Sequence, residues 1–187
     1  MDQSSSIGGS EGGFLHPERI VSYFGLKSGM SVADFGAGHG HFTIPMARLV
    51  GQEGKIYALD IQKNTLEVVR AKAKLEHLLN IETIWADIEL PQGSKLPDAS
   101  LDLVLAANIM FQAEVKDAII NEAKRVLKSG GKLALIEWDE TPFPGGPSND
   151  LKFSKEMAKK LAGSVGFEID REFEAGSHHY GLLFRKT

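Results

Sequence analysis

Cysteine is absent from the 187-residue chain, which excludes disulfides, thiolate metal sites and cysteine nucleophiles. No apolar run reaches the roughly 18 residues that a membrane-spanning helix needs. The first residues also lack the basic and apolar segments of a secretory signal, so the expected location is the cytoplasm. Basic residues are outnumbered by acidic ones, and the net charge of −4 argues against nucleic acid as a partner.

Apolar residues are also scarce at the start of the chain, where residues 2–13 are almost all small or polar. Such a segment cannot bury enough apolar area to offset the entropy that it would lose on ordering. We therefore predict a flexible arm over residues 1–13. Residues 14–187 have the length of one ordinary domain, and we predict a single domain there.

The rest of the chain alternates short apolar runs with longer amphipathic segments, which is typical of a parallel sheet with helices on both faces. The last two strand candidates are separated by a turn too short for a crossover, so they must be antiparallel. We predict a seven-stranded, mostly parallel α/β sheet that ends in an antiparallel hairpin. The predicted strands cover residues 32–35, 55–60, 81–86, 101–107, 132–138, 167–173 and 178–185, and the predicted helices cover residues 17–24, 40–50, 64–78, 114–127 and 150–162.

Glycines recur at every second position in the turn after the first strand, which reads Asp34-Phe-Gly36-Ala-Gly38-His-Gly40. A dinucleotide fingerprint needs its third glycine one residue later, where this chain has His41. The turn still permits close approach of a ligand to the backbone, and the start of the following helix favours an anionic group. The Asp34 carboxylate suits a cationic ligand and opposes a pyrophosphate.

Acidic residues also end the second and third strands, at Asp60 and Asp87. Open α/β sheets bind their ligands at this carboxyl edge. Asp60 can accept both hydroxyls of a ribose, and Ile61 offers an apolar face to a nucleobase. Asp87, followed by Ile88, can accept from the exocyclic amine of adenine. The edge therefore suits a ligand with a ribose, an adenine, a carboxylate and a positive centre, and S-adenosylmethionine has all four.

Several segments resemble the motifs of the class I, Rossmann-like S-adenosylmethionine-dependent methyltransferases, in that family's order and spacing. These segments are residues 32–40, 58–60, 86–88, 101–107 and 125–133. Within the family, the chain resembles the group of ubiquinone/menaquinone-biosynthesis methyltransferases. The resemblance implies a Rossmann-like sheet and the transfer of a methyl group from S-adenosylmethionine to a small-molecule acceptor.

The resemblance also implies a cofactor role for individual positions at the carboxyl edge. The glycine turn would wrap the methionine part, with an acidic residue and a carbonyl of the fourth strand near its ammonium group. The remaining positions would hold the ribose and the adenine. The implied cofactor-binding residues are Asp34, Gly36, Ala37, Gly38, Asp60, Ile61, Asp87, Ile88 and Ala106.

The chain departs from the family pattern in two places. Ser129 stands where the family often has proline, and residues 108–112 contain no histidine where many small-molecule methyltransferases carry one. The candidates for a proton-accepting or substrate-orienting role are Asn108, His178 and His179. Neighbouring histidines on a strand point to opposite faces, so we do not expect a metal site. The candidate acceptor-pocket residues are Phe14, His16, Phe111, Trp138 and Tyr180, with Glu137 and Asp139 on either side of Trp138.

Two other functions fit parts of this pattern. A non-catalytic module that binds S-adenosylmethionine would present the same carboxyl edge, and tight binding without a product would indicate it. An NAD(P)-dependent oxidoreductase would share the fold class, but the shifted glycines, Asp34 and the terminal hairpin all oppose it. Nothing in the sequence indicates an oligomeric state.

Overall fold

The computed structural model describes residues 15–187, so the arm predicted over residues 1–13 and the pocket candidate Phe14 lie outside the described residues. The strands are β1 Ser31–Phe35, β2 Lys55–Asp60, β3 Ile81–Trp85, β4 Leu101–Ala107, β5 Leu127–Trp138, β6 Phe167–Gly176 and β7 His179–Lys186. They form one seven-stranded sheet in the order β3-β2-β1-β4-β5-β7-β6. The first five strands run parallel to one another.

Helices cover both faces of this sheet. They are α1 Pro17–Ile20, which continues as a 3₁₀ turn over Val21–Phe24, α2 Thr43–Val50, α3 Lys63–Leu75, α4 Lys116–Val126 and α5 Lys155–Ser164. Alternate strand residues point to opposite faces, so α1 and α2 pack on side chains such as Val32 and Leu105. On the other face, α4 and α5 pack on side chains such as Phe35 and Leu135. No helix within residues 15–187 is long and apolar enough to cross a membrane.

The predicted architecture is confirmed, including the antiparallel end of the sheet. β7 lies between β5 and β6 and pairs with both of them in the antiparallel sense. β6 therefore runs in the same direction as β5 and ends at the same edge. The turn between Gly176 and His179 brings β7 back from that edge. The carboxyl ends of β1 to β6 thus share one rim with the start of β7.

Most element boundaries differ from the prediction by about one to three residues, and two differ by more, each for a local reason. β5 begins at Leu127 instead of residue 132, because Leu127 pairs with Leu101 before an irregularity in the register of β4 and β5. α5 begins at Lys155 instead of residue 150, because the Ser154 side chain accepts from the Met157 amide and caps the helix there. Neither difference moves the carboxyl ends of the parallel strands.

The connection between β3 and β4 carries residues of the carboxyl edge, and α4 holds it in place. Glu122 Oε1 on α4 accepts from the backbone amide of Ser94 at 3.0 Å. Arg125, one turn later, donates to the same Glu122 oxygen at 2.7 Å and to the Leu96 carbonyl at 2.9 Å. Burial opposes the charge on Glu122, but the hydrogen bonds from Arg125 and Ser94 lower the pKa of this carboxyl below its usual value. The ionised pair therefore fixes the connection to the body of the domain.

Candidate functional site

A cavity of about 530 Å³ opens at the carboxyl ends of the strands, and we call it the edge cavity. It lies where the acidic strand ends were predicted to meet. The predicted cofactor residues that line it are Gly36, Gly38, Asp60, Ile61, Asp87 and Ile88. Residues that the sequence analysis did not select add apolar surface, and they include Leu59, Ala86, Ile109, Ala113 and Ile119. The lining combines this apolar surface with polar side chains such as Asp60, Asp87 and Asn108, a mixture that suits a small molecule with both polar and apolar parts.

The Asp60 carboxylate in this cavity is fixed by two backbone amides. Its Oδ2 accepts from the amide of Gly38 at 2.8 Å, and its Oδ1 accepts from the amide of Gln62 at 2.8 Å. Each carboxylate oxygen has two lone pairs, so each one keeps a free acceptor position. A carboxylate held in this way can receive two neighbouring hydroxyls, such as those of a ribose.

The glycine turn passes very close to the segment that follows β4. Gly36 has a φ of 71°, and a Cβ added to it would collide with Ile109 Cγ2. Glycine is therefore needed at this position both for the backbone conformation and for the lack of space. The contact joins the turn after β1 to the turn after β4, and both turns line the edge cavity.

Asp34 lies beneath the glycine turn and does not line the edge cavity. It is buried and accepts from the hydroxyl of Thr43, the first residue of α2, at 2.6 Å. Burial raises the pKa of Asp34 to about 6, partly offset by the Thr43 hydrogen bond, and the nearby Asp60 charge raises it further. The structure therefore gives Asp34 a contact with the helix rather than with the cavity.

The end of β4 reaches the edge cavity at Ala107 and Asn108. Ala106 is fully buried between Phe35 and Leu135 in the sheet, and the alternation of strand residues turns its side chain into the α4 and α5 layer. The role implied for Ala106 belongs to its backbone carbonyl, so that role stays a prediction.

Ala37 behaves in the same way as Ala106. It is buried against Ala58 and Val69, and its amide donates to the Leu59 carbonyl at 2.8 Å. This backbone bond ties the glycine turn to β2. Ala37 therefore supports the edge cavity without lining it.

Two carboxylates stabilise the backbone turn at the end of β3 by accepting hydrogen bonds from main-chain amides. Asp87 Oδ1 accepts from the amide of Glu89 at 3.0 Å, and Glu89 Oε2 accepts from the amide of Val115 at 2.6 Å. Val115 is the residue before α4, so the network links the turn to the start of that helix. Asp87, Ile88 and Glu89 all line the edge cavity. Glu89 was not predicted, and no local pattern distinguishes it from a surface glutamate.

The other candidates gather at the start of β7, apart from the edge cavity. The rings of Trp138 and His179 have centroids 4.2 Å apart, and those of Phe143 and His178 are 4.6 Å apart. His179 and Tyr180 line a second cavity of about 770 Å³, which we call the hairpin cavity. His16 and Phe111 line neither cavity. Of the three catalytic candidates, the structure brings only Asn108 to the edge cavity.

Two residues at the start of β7 are poorly suited to proton transfer. Burial lowers the pKa of His179 to about 4, partly opposed by the Asp139 charge, so the imidazole is neutral at pH 7. The Tyr180 hydroxyl donates to the Phe153 carbonyl at 2.5 Å, and burial raises the pKa of this phenol far above its usual value. Both side chains therefore present neutral groups to the hairpin cavity.

Trp85, at the end of β3, braces the turn that carries Asp60. Its indole Nε1 donates to the carbonyl of Ile61 at 2.9 Å. The ammonium of Lys63 lies 4.0 Å from the centre of a Trp85 ring, a cation–π distance. Trp85 was not predicted as a site residue, because its partner is the backbone of a different strand end.

Replacing Trp85 with phenylalanine removes the indole donor and keeps most of the ring. Loss of one hydrogen bond to the turn is worth about 1 kcal/mol, and binding must restore the turn, so we expect the affinity for S-adenosylhomocysteine to fall by up to about 5-fold. Isothermal titration with S-adenosylhomocysteine measures this change. Lys63→Met is the matched control, because it removes the cation–π partner and leaves the bond to Ile61. An equal loss in Lys63→Met would show that the hydrogen bond is not the cause.

The fold and the edge cavity together define a Rossmann-like protein with a cavity at the carboxyl edge of its sheet, where open α/β sheets bind their ligands. Residues 26–182 match the family model described as a methyltransferase domain. Since this match covers most of the chain, the protein belongs to the methyltransferase-domain family, and the resemblance found in the sequence is confirmed.

Curated relatives and solved structures agree with this assignment. Over 123 residues the chain is 37% identical to the ubiquinone/menaquinone biosynthesis C-methyltransferase UbiE of Hahella chejuensis, covering 64% of this chain and 47% of that protein. Over 121 residues it is 35% identical to the demethylmenaquinone methyltransferase of Listeria welshimeri, covering 64% of this chain and 50% of that protein. The chain thus spans about half the length of the curated relatives that it matches.

Among solved structures, a SAM-dependent methyltransferase from Aquifex aeolicus superposes with a TM-score of 0.83 at 28% identity, covering 92% of this chain and 90% of that one. The [4+2]-cyclase SpnF superposes with a TM-score of 0.77 at 18% identity, covering 90% of this chain and 80% of that one. At that identity, SpnF shows a shared fold alone. The fold therefore leaves the reaction to be argued from the site.

Proposed function

We propose that the protein binds S-adenosylmethionine in the edge cavity and transfers its methyl group to a small-molecule acceptor. The observation that carries the proposal is the Asp60 carboxylate, which two backbone amides fix at the cavity wall with free acceptor positions. In this proposal, Asp60 holds the ribose hydroxyls. Asp87 and the Ile88 amide hold the adenine edge, and Ile61 packs on its face.

The charges around the edge cavity support a cationic ligand. Asp34, Asp60 and Asp87 lie in or beneath its wall, and a pyrophosphate would be repelled by them. This arrangement opposes a nicotinamide dinucleotide and suits the sulfonium and ammonium groups of S-adenosylmethionine. We therefore infer methyl transfer in preference to hydride transfer.

The chemistry of the step places few demands on the protein. S-adenosylmethionine carries a methyl group that is already activated by its sulfonium, so the nucleophile needs in-line placement and exclusion of water. A general base is needed only where the nucleophile arrives protonated. The apolar side chains of Leu59, Ile109 and Ile119 would keep water from the cofactor.

The acceptor that we propose is an apolar ring compound, with quinone precursors as the first candidates. The curated relatives carry names of quinone-biosynthesis methyltransferases, which supports this class. The aromatic group beside the start of β7 supports it as well, because the half-buried Phe143 ring, stacked on the buried Trp138 with ring centroids 6.0 Å apart, offers flat apolar surface.

Radiolabelled methyl transfer tests the proposal. The protein is incubated with S-[methyl-³H]adenosylmethionine and a panel of soluble demethylated quinol analogues, with a boiled sample as the control. We expect labelled product from at least one analogue and a raised melting temperature with S-adenosylhomocysteine. Ligand-induced stabilisation without any labelled product would favour the non-catalytic alternative. A protein that NADH stabilises and S-adenosylhomocysteine does not would refute the proposal.

A further inference from the structure

Glu137, the second-last residue of β5, carries a carboxyl group that lines neither the edge cavity nor the hairpin cavity. The residue is fully buried, and its Oε1 accepts from the backbone amide of Met110 at 2.6 Å. Its Oε2 is buried with no hydrogen-bond donor among residues 15–187. Glutamate is seldom fully buried without an ion partner, so this position needs a physical reason.

The segment held by this carboxylate, residues 108–110, forms part of the wall of the edge cavity. Asn108 has a φ of 56°, a left-handed conformation that costs energy in residues other than glycine, although asparagine adopts it more readily than most. The Asn108 amide donates to the Ile136 carbonyl at 2.8 Å. Ile109 lies so close to Gly36 that no Cβ would fit between them. The strained segment is thus tied to β5 at both ends and pressed against the glycine turn in the middle.

We infer that Glu137 is a positioning residue for cofactor binding, which keeps residues 108–110 in the strained conformation that closes the edge cavity beside the glycine turn. The inference rests on the proposed function, because the bound ligand is taken to be S-adenosylmethionine. Without the carboxylate, the buried Met110 amide loses its partner and the segment relaxes. Ile109 then leaves Gly36, and the cavity no longer matches its ligand.

Asp102 offers a matched control for a carboxylate with a purely structural role. Its Oδ2 accepts from the backbone amide of Ser31 at 2.8 Å, so it also ties neighbouring strands through a main-chain bond. It is the second residue of β4 and therefore lies at the amino edge, opposite the cavity. Loss of Asp102 removes the same kind of bond, together with an ion pair to Lys128 at 2.7 Å, without touching the wall that Glu137 supports.

Isothermal titration with S-adenosylhomocysteine separates positioning from stability. E137Q keeps a side-chain oxygen that can accept from the Met110 amide. E137M removes that oxygen in a side chain of similar size. E137D keeps the carboxylate, but its shorter side chain does not reach the Met110 amide. We expect a Kd within about 3-fold of the unsubstituted protein for E137Q, and at least about 10-fold weaker binding for E137M and E137D. D102L lowers the melting temperature and leaves the Kd within about 2-fold. Unchanged affinity in E137M, or an equal loss in E137Q, overturns the inference.

Amide hydrogen exchange of the ligand-free protein distinguishes this inference from the proposed function. We expect faster exchange in residues 107–112 of E137M and E137D, and unchanged exchange there in E137Q and D102L. If the variants show these exchange rates but the protein binds no S-adenosylhomocysteine, the proposed function is refuted, while the conclusion that Glu137 fixes residues 108–110 is supported. Unchanged exchange in E137M refutes that conclusion, whichever ligand binds.

Discussion

Asp60→Ala is expected to weaken S-adenosylmethionine binding by about 100-fold or more, because two charge-assisted hydrogen bonds to the ribose are worth together about 3 kcal/mol or more. The substitution also removes the acceptor for the amides of Gly38 and Gln62, so the glycine turn loses one of its ties to β2. Loss of the ribose hydrogen bonds acts on the bound state alone, whereas loss of this tie also loosens the turn in the ligand-free protein. Isothermal titration with S-adenosylmethionine measures the loss.

Asp60→Asn distinguishes the two contributions. Asparagine keeps one acceptor oxygen for the turn but brings an amide donor to the ribose, so we expect an affinity between those of the alanine variant and the unsubstituted protein. Asp102→Asn is the control, since its carboxylate lies at the amino edge. An Asp60→Ala variant that binds S-adenosylmethionine with unchanged Kd would remove the basis of the proposed site.

The Glu137→Gln variant is expected to gain free energy of unfolding relative to the unsubstituted protein as the pH rises. Burial raises the pKa of Glu137 from 4.5 to about 7, with the amides of Met110 and Ile109 partly opposing it. The folded state therefore holds the proton more tightly than the unfolded state. The unsubstituted protein therefore loses stability as the pH rises between about 4.5 and 7. The Glu137→Gln variant does not, because glutamine has no proton to lose in this range.

The expected size of this effect is about 3 kcal/mol, gained by Glu137→Gln over the unsubstituted protein across that pH window. Two titratable groups face Glu137. The Lys116 ammonium opposes the rise in the pKa of Glu137, and the Tyr180 phenol is neutral throughout this pH range. Urea unfolding of both proteins at several pH values measures the difference. A difference that stays constant from pH 4 to pH 8 would show that Glu137 ionises normally.

Local patterns predicted the sheet well wherever a strand is bounded by its own sequence. β2 and β4 have the predicted bounds, because each is a short apolar run that ends in an acidic or polar turn. The predicted start of β5 was wrong, because Leu127 becomes a strand residue only through its pairing with Leu101. The position of β7 between β5 and β6 likewise depends on pairing across the sheet.

The edge cavity was predictable because it follows from a rule of parallel sheets. Acidic residues at strand ends must meet at one rim, and the structure places Asp60 and Asp87 there. The roles of Trp85 and Glu137 were not predictable, because each depends on a backbone partner more than 20 residues away. Neither residue belongs to a motif.

A crystal structure with bound S-adenosylhomocysteine shows whether the Asp60 carboxylate holds the ribose. We expect both ribose hydroxyls within about 3 Å of the Asp60 carboxylate oxygens, with the adenine beside Ile61 and its amine near Asp87. Ligand density at the hairpin cavity with the Asp60 carboxylate left to solvent would contradict this expectation.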